Sequence, residues 1–189
     1  MSRSARRRHV AMIALALVTT VGIGRHARSD ELKPTVLPPE IRKAIDDVDT
    51  ACRESSGKPG PSPNLIRSTD LTDDGVTDYI LDLGYYNCEG AASALSAGQS
   101  GNGMTIYVGG PNHTARKAYD VLTQGIELDT VDGKPRLSVA VMGGECGQKN
   151  AATLAMSDVD VCLRPLHWNA ADQSFVLGPL SEKRGFAVQ

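Results

Sequence analysis

Four cysteines place the strongest constraint on how this chain of 189 residues can fold. An even number of cysteines in an exported domain is expected to form disulfides, each of which holds two segments side by side. Four cysteines allow three pairings, and we favour the one that joins sequence neighbours. That pairing is Cys52–Cys88 and Cys146–Cys162. A zinc site is disfavoured, because neither C-x-x-C pairs nor nearby histidines accompany these cysteines.

The N-terminus has the pattern of a secretory signal peptide. Arg3 and three arginines at positions 6–8 precede residues 10–24, which carry no charged side chain. A membrane-spanning helix needs about twenty apolar residues, so this stretch is too short to be one. We therefore expect residues 1–24 to be a signal peptide, with cleavage between residues 24 and 27 by either the Sec or the twin-arginine route. The mature chain is expected to be periplasmic or secreted in a bacterium, with no transmembrane segment.

Charge and aromatic content exclude one class of partner. Removal of residues 1–24 takes away four basic and no acidic side chains, leaving 16 basic against the 22 acidic side chains of the chain. An acidic protein with only 4% aromatic residues has neither a basic patch for phosphates nor platforms on which bases can stack. We expect no nucleic-acid partner, and instead a protein or an envelope component.

The first regular element is expected to be a helix. Apolar residues spaced as on one helical face lie between Ile41 and Cys52, and prolines at 38 and 39 favour a helix start. Gly57 is expected to end the helix. The sequence thus predicts an extended segment over residues 25–37 and a single domain over residues 38–189.

Short strands are expected to follow a loop at residues 57–63, whose sequence is G-K-P-G-P-S-P. They are predicted at residues 65–69, 78–83, 105–108, 117–123 and 175–177. Polar and apolar residues alternate most clearly at 136–141 and 159–164, and Asp132 with Gly133 is typical of a hairpin turn. Period two indicates an antiparallel sheet with one buried face. The predicted fold class is α+β, with one N-terminal helix packed on a disulfide-stabilised antiparallel β-meander sheet.

The segment D-L-T-D-D-G-V-T-D at residues 70–78 carries the one pattern with metal chemistry. A hard cation such as Ca²⁺ takes oxygen ligands from alternate positions of a short loop. An EF-hand would need a glutamate at position 12, which here is Leu81. The alternative is an acidic hairpin turn in which Asp70 and Asp74 accept backbone N–H bonds. The candidate ligands of a structural Ca²⁺ are Asp70, Thr72, Asp74, the backbone carbonyl of Val76, and Asp78.

This segment resembles the calcium loop of FG-GAP and VCBS-type β repeats, D-x-[DN]-x-D-G-x-x-D between two strands, with Thr72 at position 3. The chain also resembles small secreted bacterial proteins of unassigned function that carry a single such loop. The matching stretches are residues 70–90, which include an N-C-E-G segment, and more loosely residues 146–176, with a C-x-R-P-L-x-W run. The resemblance implies a family rather than an activity.

Common catalytic motifs such as G-x-S-x-G and H-E-x-x-H do not occur in the sequence. His113 and His167 are the histidines expected to remain after export, and we interpret both as solvated or packed. Asp82, Glu89 and Glu145 could meet in space as a glycosidase-like carboxylate set. A carboxylate-based envelope hydrolase is therefore one alternative to a non-enzymatic binding or structural domain.

Two further features bear on binding. The glycine-rich stretch at residues 90–103 lacks the G-K-[ST] sequence and the flanking strand and helix of a phosphate loop, so we interpret it as an exposed loop. Such a loop would suit a small periplasmic enzyme inhibitor, which is the second alternative. Trp168 together with Tyr85 and Tyr86 is a candidate ligand face, although a tryptophan beside a disulfide is more often part of the core.

Overall fold

The computed structural model describes residues 36–186. The expected signal peptide at residues 1–24, its cleavage site and the first part of the extended segment, residues 25–35, lie outside the described residues. Within the described range the chain forms one α-helix, α1 (Pro39–Glu54), together with antiparallel strands and short 3₁₀ turns. In this same range no helix combines the length and the apolarity needed to cross a membrane.

The strands make two antiparallel sheets and a small ribbon. In the first sheet the order is β2-β3-β5-β6, and in the second it is β10-β9-β8-β7, with β11 also paired to β9. The short strands β1 and β4 form the ribbon. The strands are β1 (Lys58–Pro59), β2 (Ile66–Thr69), β3 (Asp78–Asp82), β4 (Cys88–Glu89), β5 (Asn102–Gly110), β6 (Thr114–Thr123), β7 (Ile126–Val131), β8 (Lys134–Met142), β9 (Val161–Asn169), β10 (Ser174–Leu177) and β11 (Arg184–Gly185).

The hydrophobic core lies between the two sheets. Met104, Ile106 and Val108 alternate along β5, and they belong to the same buried cluster as Leu137 and Val139 from β8. The period-two pattern of residues 136–141 correctly predicts the inner face of β8. The expected wet face is wrong over most of this stretch, because Ser138 and Ala140 are also buried, and Nη2 of Arg184 lies 3.3 Å from Oγ of Ser138. The expectation of a single sheet needs correction, because the strands divide into two sheets that cover each other's apolar faces.

Helix α1 packs on the outer face of the first sheet. Ile41 forms a second buried cluster with Tyr79 of β3 and Ala115 of β6. The Glu40 carboxylate also accepts the backbone N–H of Ala115 at 3.1 Å. Proline fits the first helical turn because its fixed backbone angle matches the helix and its missing N–H would have no partner there. The helix therefore begins at Pro39, as the prolines predict, and ends three residues before Gly57.

Two disulfides crosslink the domain. Cys52 of α1 is bonded to Cys88 of β4, and Cys146, in the turn after β8, is bonded to Cys162 of β9; the Cα atoms of each pair are 5.8 Å apart. This is the pairing of sequence neighbours that the sequence analysis favours. Residues 36–186 contain no free cysteine.

Several strand boundaries differ from the sequence predictions. Strand β7 lies in a stretch where the sequence predicts no strand, because the alternation of Ile126 and Leu128 with charged residues lasts only two periods. Strand β5 begins at Asn102 and so includes the last two residues of the predicted 90–103 loop. Strand β6 begins at Thr114, three residues earlier than predicted, because its first residues pair with the end of β5.

Candidate functional site

The segment of residues 70–78, hereafter the acidic turn, connects β2 to β3 and is closed by backbone amides. Oδ1 of Asp70 accepts the N–H groups of Asp73 at 2.7 Å and Asp74 at 3.2 Å, and its Oδ2 accepts that of Gly75 at 2.8 Å. Oδ1 of Asp74 accepts the N–H of Val76 at 2.8 Å. Gly75 has a φ of +82°, a left-handed conformation that glycine adopts without strain. These are the bonds of the acidic hairpin turn that the sequence left as an alternative.

Asp78 differs from the other carboxylates of the acidic turn because it is fully buried. Its Oδ2 accepts the N–H groups of Leu71 at 2.8 Å and Thr72 at 3.0 Å, and its Oδ1 accepts that of Gly109 at 2.9 Å. Burial raises the pKa of Asp78, whereas these amide bonds act to lower it. Asp78 therefore joins the acidic turn to β5 inside the fold.

The five predicted calcium ligands thus have separate roles. Asp70 and Asp74 are bound by amides within the turn, and Asp78 is bound in the interior. Val76 is exposed, and Oγ1 of Thr72 lies 3.5 Å from Oδ1 of Asp70. Over residues 36–186 no three histidine, cysteine or acidic side chains gather as a metal site would require. The calcium site stays a prediction of the sequence, because backbone amides by themselves account for the shape of this turn.

A pocket of about 340 Å³, hereafter the turn pocket, lies between the acidic turn and the β7–β8 hairpin. Its floor consists of apolar side chains that also belong to the core: Leu137, Leu166 and Phe175. An ion pair between Lys134 of the hairpin and Asp73 of the acidic turn joins the two sides of its rim. The pocket therefore combines an apolar floor with a charged rim.

Trp168 forms one wall of the turn pocket. Its ring lies 5.0 Å from that of Phe175 at an interplanar angle of 52°, and the guanidinium of Arg116 lies 5.8 Å from its centre. Such tilted aromatic pairs and cation contacts hold a ring in a defined orientation. Trp168 is half-buried. It packs against the core and also lines the turn pocket.

The two histidines have different surroundings. His167 lines the turn pocket, and its Nε2 lies 2.8 Å from Oε2 of Glu182, a carboxylate of the C-terminal segment. His113 is exposed in the turn between β5 and β6 and has a φ of +60°. Neither histidine has a hydroxyl or thiol nucleophile among its hydrogen-bond partners in the described part of the chain.

The three aromatic residues of the candidate ligand face, Trp168, Tyr85 and Tyr86, do not share one site. Tyr85 lines a different pocket from Trp168. The hydroxyl of Tyr86 donates to Oδ1 of Asp49 in α1 at 2.8 Å. Burial, assisted by this bond, raises the pKa of Tyr86 to about 12.

The carboxylates of the hydrolase alternative are also placed apart from one another. Asp82 lines a pocket with Glu127, which is not one of the three carboxylates predicted from the sequence. Glu89 lies opposite Lys58 in the β1–β4 ribbon. The backbone carbonyl of Glu145 accepts Nη1 of Arg164 at 2.8 Å. Within residues 36–186, neither Glu89 nor Glu145 is among the residues that line the pocket of Asp82.

Lys134 and Arg136, the basic residues of the turn pocket, are not among the site residues predicted from the sequence. The Asp132–Gly133 turn indicates that the basic side chains that follow it lie near the tip of a hairpin, where side chains are exposed. Which other loop that tip would meet depends on how the second sheet packs on the first. Comparison of the chain with protein-family models, with curated proteins and with solved structures gave no match.

Proposed function

We propose that this chain is an exported, non-enzymatic binding domain that recognises another protein or an envelope component through the turn pocket. Two disulfides support an extracellular or periplasmic location, because such bonds persist in oxidising compartments. A bound Ca²⁺ would add rigidity to the acidic turn, but the proposal does not depend on it, because backbone amides already hold Asp70 and Asp78.

The composition of the turn pocket is the observation that carries the proposal. Its apolar floor gains from being covered by an apolar group, because Leu137 and Phe175 would then be shielded further from water. Its rim offers basic groups on Arg136 and His167 and carboxylates on the acidic turn, which can form directional bonds. An apolar anchor side chain with polar neighbours, as found at the centre of protein interfaces, fits this arrangement.

The chemistry of the lining supports binding rather than catalysis at this pocket. None of the residues that line it in the described chain is a serine, threonine, cysteine or tyrosine. Its histidine, His167, is bound to Glu182, and Asp73 is paired with Lys134. Both oxygens of Asp70 accept backbone amides. Asp70, Asp73 and His167 thus have partners within the protein, whereas the side chain of Asp132 has none among the described residues and can make a polar contact with a ligand.

A single charge placed in the turn pocket tests the proposal. Val131 lies at the rim with 38% of its surface exposed, so Val131→Asp should fold and place a carboxylate against the apolar floor. Immobilised wild-type protein should capture a defined species from an envelope extract, and Val131→Asp should capture at least tenfold less of that species, as measured by quantitative mass spectrometry.

Leu122→Asp is the matched control, because Leu122 is 52% exposed on β6 and does not line the turn pocket. This variant should capture the same species as the wild type. Equal capture by wild type and Val131→Asp would show that the turn pocket is not the recognition site.

The two alternative functions make different predictions. A carboxylate hydrolase would hydrolyse purified peptidoglycan or envelope polysaccharide, and Asp82→Asn would abolish the turnover; that result would replace our proposal. An inhibitor would bind an enzyme through the exposed loop at residues 91–100, which Gln124 anchors by donating to the carbonyl of Gln99 at 2.6 Å. Deletion of residues 92–97 without loss of binding would exclude that loop as the contact.

A further inference from the structure

A second cavity, of about 320 Å³, lies at the other end of the sandwich, and we call it the end pocket. Strand β3 connects the two regions, because Asp78, the last residue of the acidic turn, begins the strand and Asp82, in the end pocket, ends it. Four residues of extended strand span about 13 Å. Asp82 lies two residues after the core residue Ile80, and Asn102 lies two residues before the core residue Met104. Both side chains therefore point between the sheets, where the apolar core gives way to polar groups.

The carboxylate of Asp82 in the end pocket is held in place by hydrogen bonds from other residues of the protein. Asp82 is 5% exposed; its Oδ1 accepts the N–H of Gly84 at 3.0 Å, and its Oδ2 lies 3.3 Å from Nη2 of Arg67. The amide side chain of Asn102 lines the cavity and forms no hydrogen bond with another residue of the described range. The pocket thus offers a fixed carboxylate beside an amide with unused donors and acceptor.

The ion pairs behind the end pocket favour a neutral ligand. Both carboxylates that line the pocket have an arginine partner: Asp82 lies beside Arg67, and Oε2 of Glu127 lies 3.1 Å from Nη2 of Arg184, which it shares with Asp129 at 3.2 Å. A cationic ligand would compete with these arginines for the carboxylates, which reduces its advantage over a neutral ligand. An anionic ligand would be repelled, because the two carboxylates line the pocket and neither arginine does.

Aromatic rings lie at the mouth of the end pocket. Tyr85 is 48% exposed, and the guanidinium of Arg67 lies 5.0 Å from its ring centre, which orients the ring. Phe186 also lines the pocket and lies against Gly125. A Cβ added to Gly125 would lie 3.2 Å from Cζ of Phe186. Rings beside planar hydrogen-bonding groups match a sugar ring, which has apolar C–H faces and an edge of hydroxyl groups that both donate and accept.

We propose that the end pocket binds one neutral sugar residue, with Asp82 and Asn102 bonded to adjacent hydroxyls and the ring of Tyr85 against the apolar face of the sugar. The volume of about 320 Å³ is at the lower end of the range of small-molecule pockets, about 300–1,000 Å³, and suits a single ring. This site is separate from the turn pocket, and its occupancy does not depend on the function proposed there.

Titration of the oxidised full chain by isothermal calorimetry tests this inference. The neutral probes are D-glucose, D-galactose, D-mannose and N-acetyl-D-glucosamine, and the charged probes are putrescine and D-glucuronate. We expect saturable binding of at least one neutral sugar, with a dissociation constant on the order of 1 mM, as is usual for so small a ligand. Putrescine and D-glucuronate should bind more weakly than that sugar.

Variants locate the binding. Asn102→Ala and Tyr85→Ala should each weaken the binding of the sugar at least tenfold, whereas Tyr85→Phe, which keeps the ring, should bind as the wild type does. Val131→Asp in the turn pocket should also bind the sugar normally, which separates this result from the test of the proposed function. Thermal unfolding checks that Asn102→Ala and Tyr85→Ala remain folded, as expected for an amide without protein partners and a half-exposed ring.

Three outcomes would overturn the inference: no neutral sugar binds saturably, the sugar binds equally to Asn102→Ala and Tyr85→Ala, or putrescine binds more tightly than every sugar.

Discussion

Gly57 allows α1 to be crosslinked, because the Cys52–Cys88 disulfide passes directly over its Cα. A Cβ at this position would lie 2.3 Å from Sγ of Cys88 and 3.0 Å from Sγ of Cys52. From the sequence, Gly57 is expected only to end the helix, which ends at Glu54. At the residue scale its more demanding role is steric, because neither sulfur can move without straining the bond between them.

Gly57→Ala should therefore lower the free energy of unfolding by about 1–3 kcal/mol, the usual cost of overpacking. Gly144→Ala is the matched control, because a Cβ there would meet no heavy atom within 4 Å. Urea unfolding of both oxidised variants measures the difference. Equal stability of the two variants would mean that the chain beside the disulfide moves aside at no cost.

Two buried carboxylates make stability depend on pH. Burial raises the pKa of Asp78 and of Asp82 above the ordinary value of 3.8, although amide bonds and, at Asp82, Arg67 act in the opposite direction. A raised pKa means that the folded state binds protons more tightly than the unfolded state. The contribution of each group to stability is therefore largest below its ordinary pKa, and it decreases as the pH rises through the raised pKa.

Asp82→Asn removes one of these titrating groups. Its free energy of unfolding should decrease less steeply than that of the wild type as the pH rises from about 4 to about 7, because the variant has one fewer buried acid to ionise. Urea unfolding at successive pH values measures both profiles. Parallel profiles would show that Asp82 does not contribute to this pH dependence.

At the scale of elements, the acidic turn is held by amide bonds from its own backbone and by Asp78. Ca²⁺ bound only to the folded state would add about 2.7 kcal/mol of stability at a hundredfold excess over the dissociation constant, seen as several degrees in the unfolding midpoint. The calcium interpretation of the acidic turn predicts such a shift. The interpretation as an amide-bonded turn, which the bonds of Asp70 and Asp74 support, predicts none.

Thermal unfolding in excess Ca²⁺ and in EGTA distinguishes these two expectations, with Asp74→Ala as the control. An increase in the unfolding midpoint that Asp74→Ala abolishes would establish the calcium site and strengthen the resemblance to FG-GAP loops.

At the scale of the whole molecule, stability comes mainly from the core between the two sheets, together with two crosslinks. The apolar residues of β5 and β8 belong to one buried cluster, so neither sheet has a complete core by itself. A cavity created by truncating a core side chain of either sheet should therefore destabilise both sheets together.

Leu137→Ala tests this dependence. Leu137 is 2% exposed, and its truncation should lower the free energy of unfolding by about 2–5 kcal/mol in a single transition. Leu122→Ala, at a position that is 52% exposed, is the matched control and should change it by no more than about 0.5 kcal/mol. Circular dichroism and tryptophan fluorescence, followed during urea unfolding, should give coincident transitions. Separate transitions would mean that the sheets unfold independently.

The features that could be predicted from the sequence are those decided by near neighbours. The stripe from Ile41 to Cys52 predicted α1, and the Asp132–Gly133 pair predicted the β7–β8 turn. The amide bonds of Asp70 and Asp74 were one of the two interpretations of the acidic turn. Each of these features depends on backbone periodicity or on hydrogen bonds within about five residues, and local sequence specifies such interactions directly.

Only the tertiary structure decided which distant residues meet. It divided the strands into two sheets, brought Lys134 to the acidic turn, and placed Glu127 rather than Glu89 or Glu145 beside Asp82. Strand periodicity states which side chains share a face, but it does not state which face of another sheet will cover them. That choice depends on how the apolar faces of both sheets fit together, and for this reason both pockets became visible only in the folded chain.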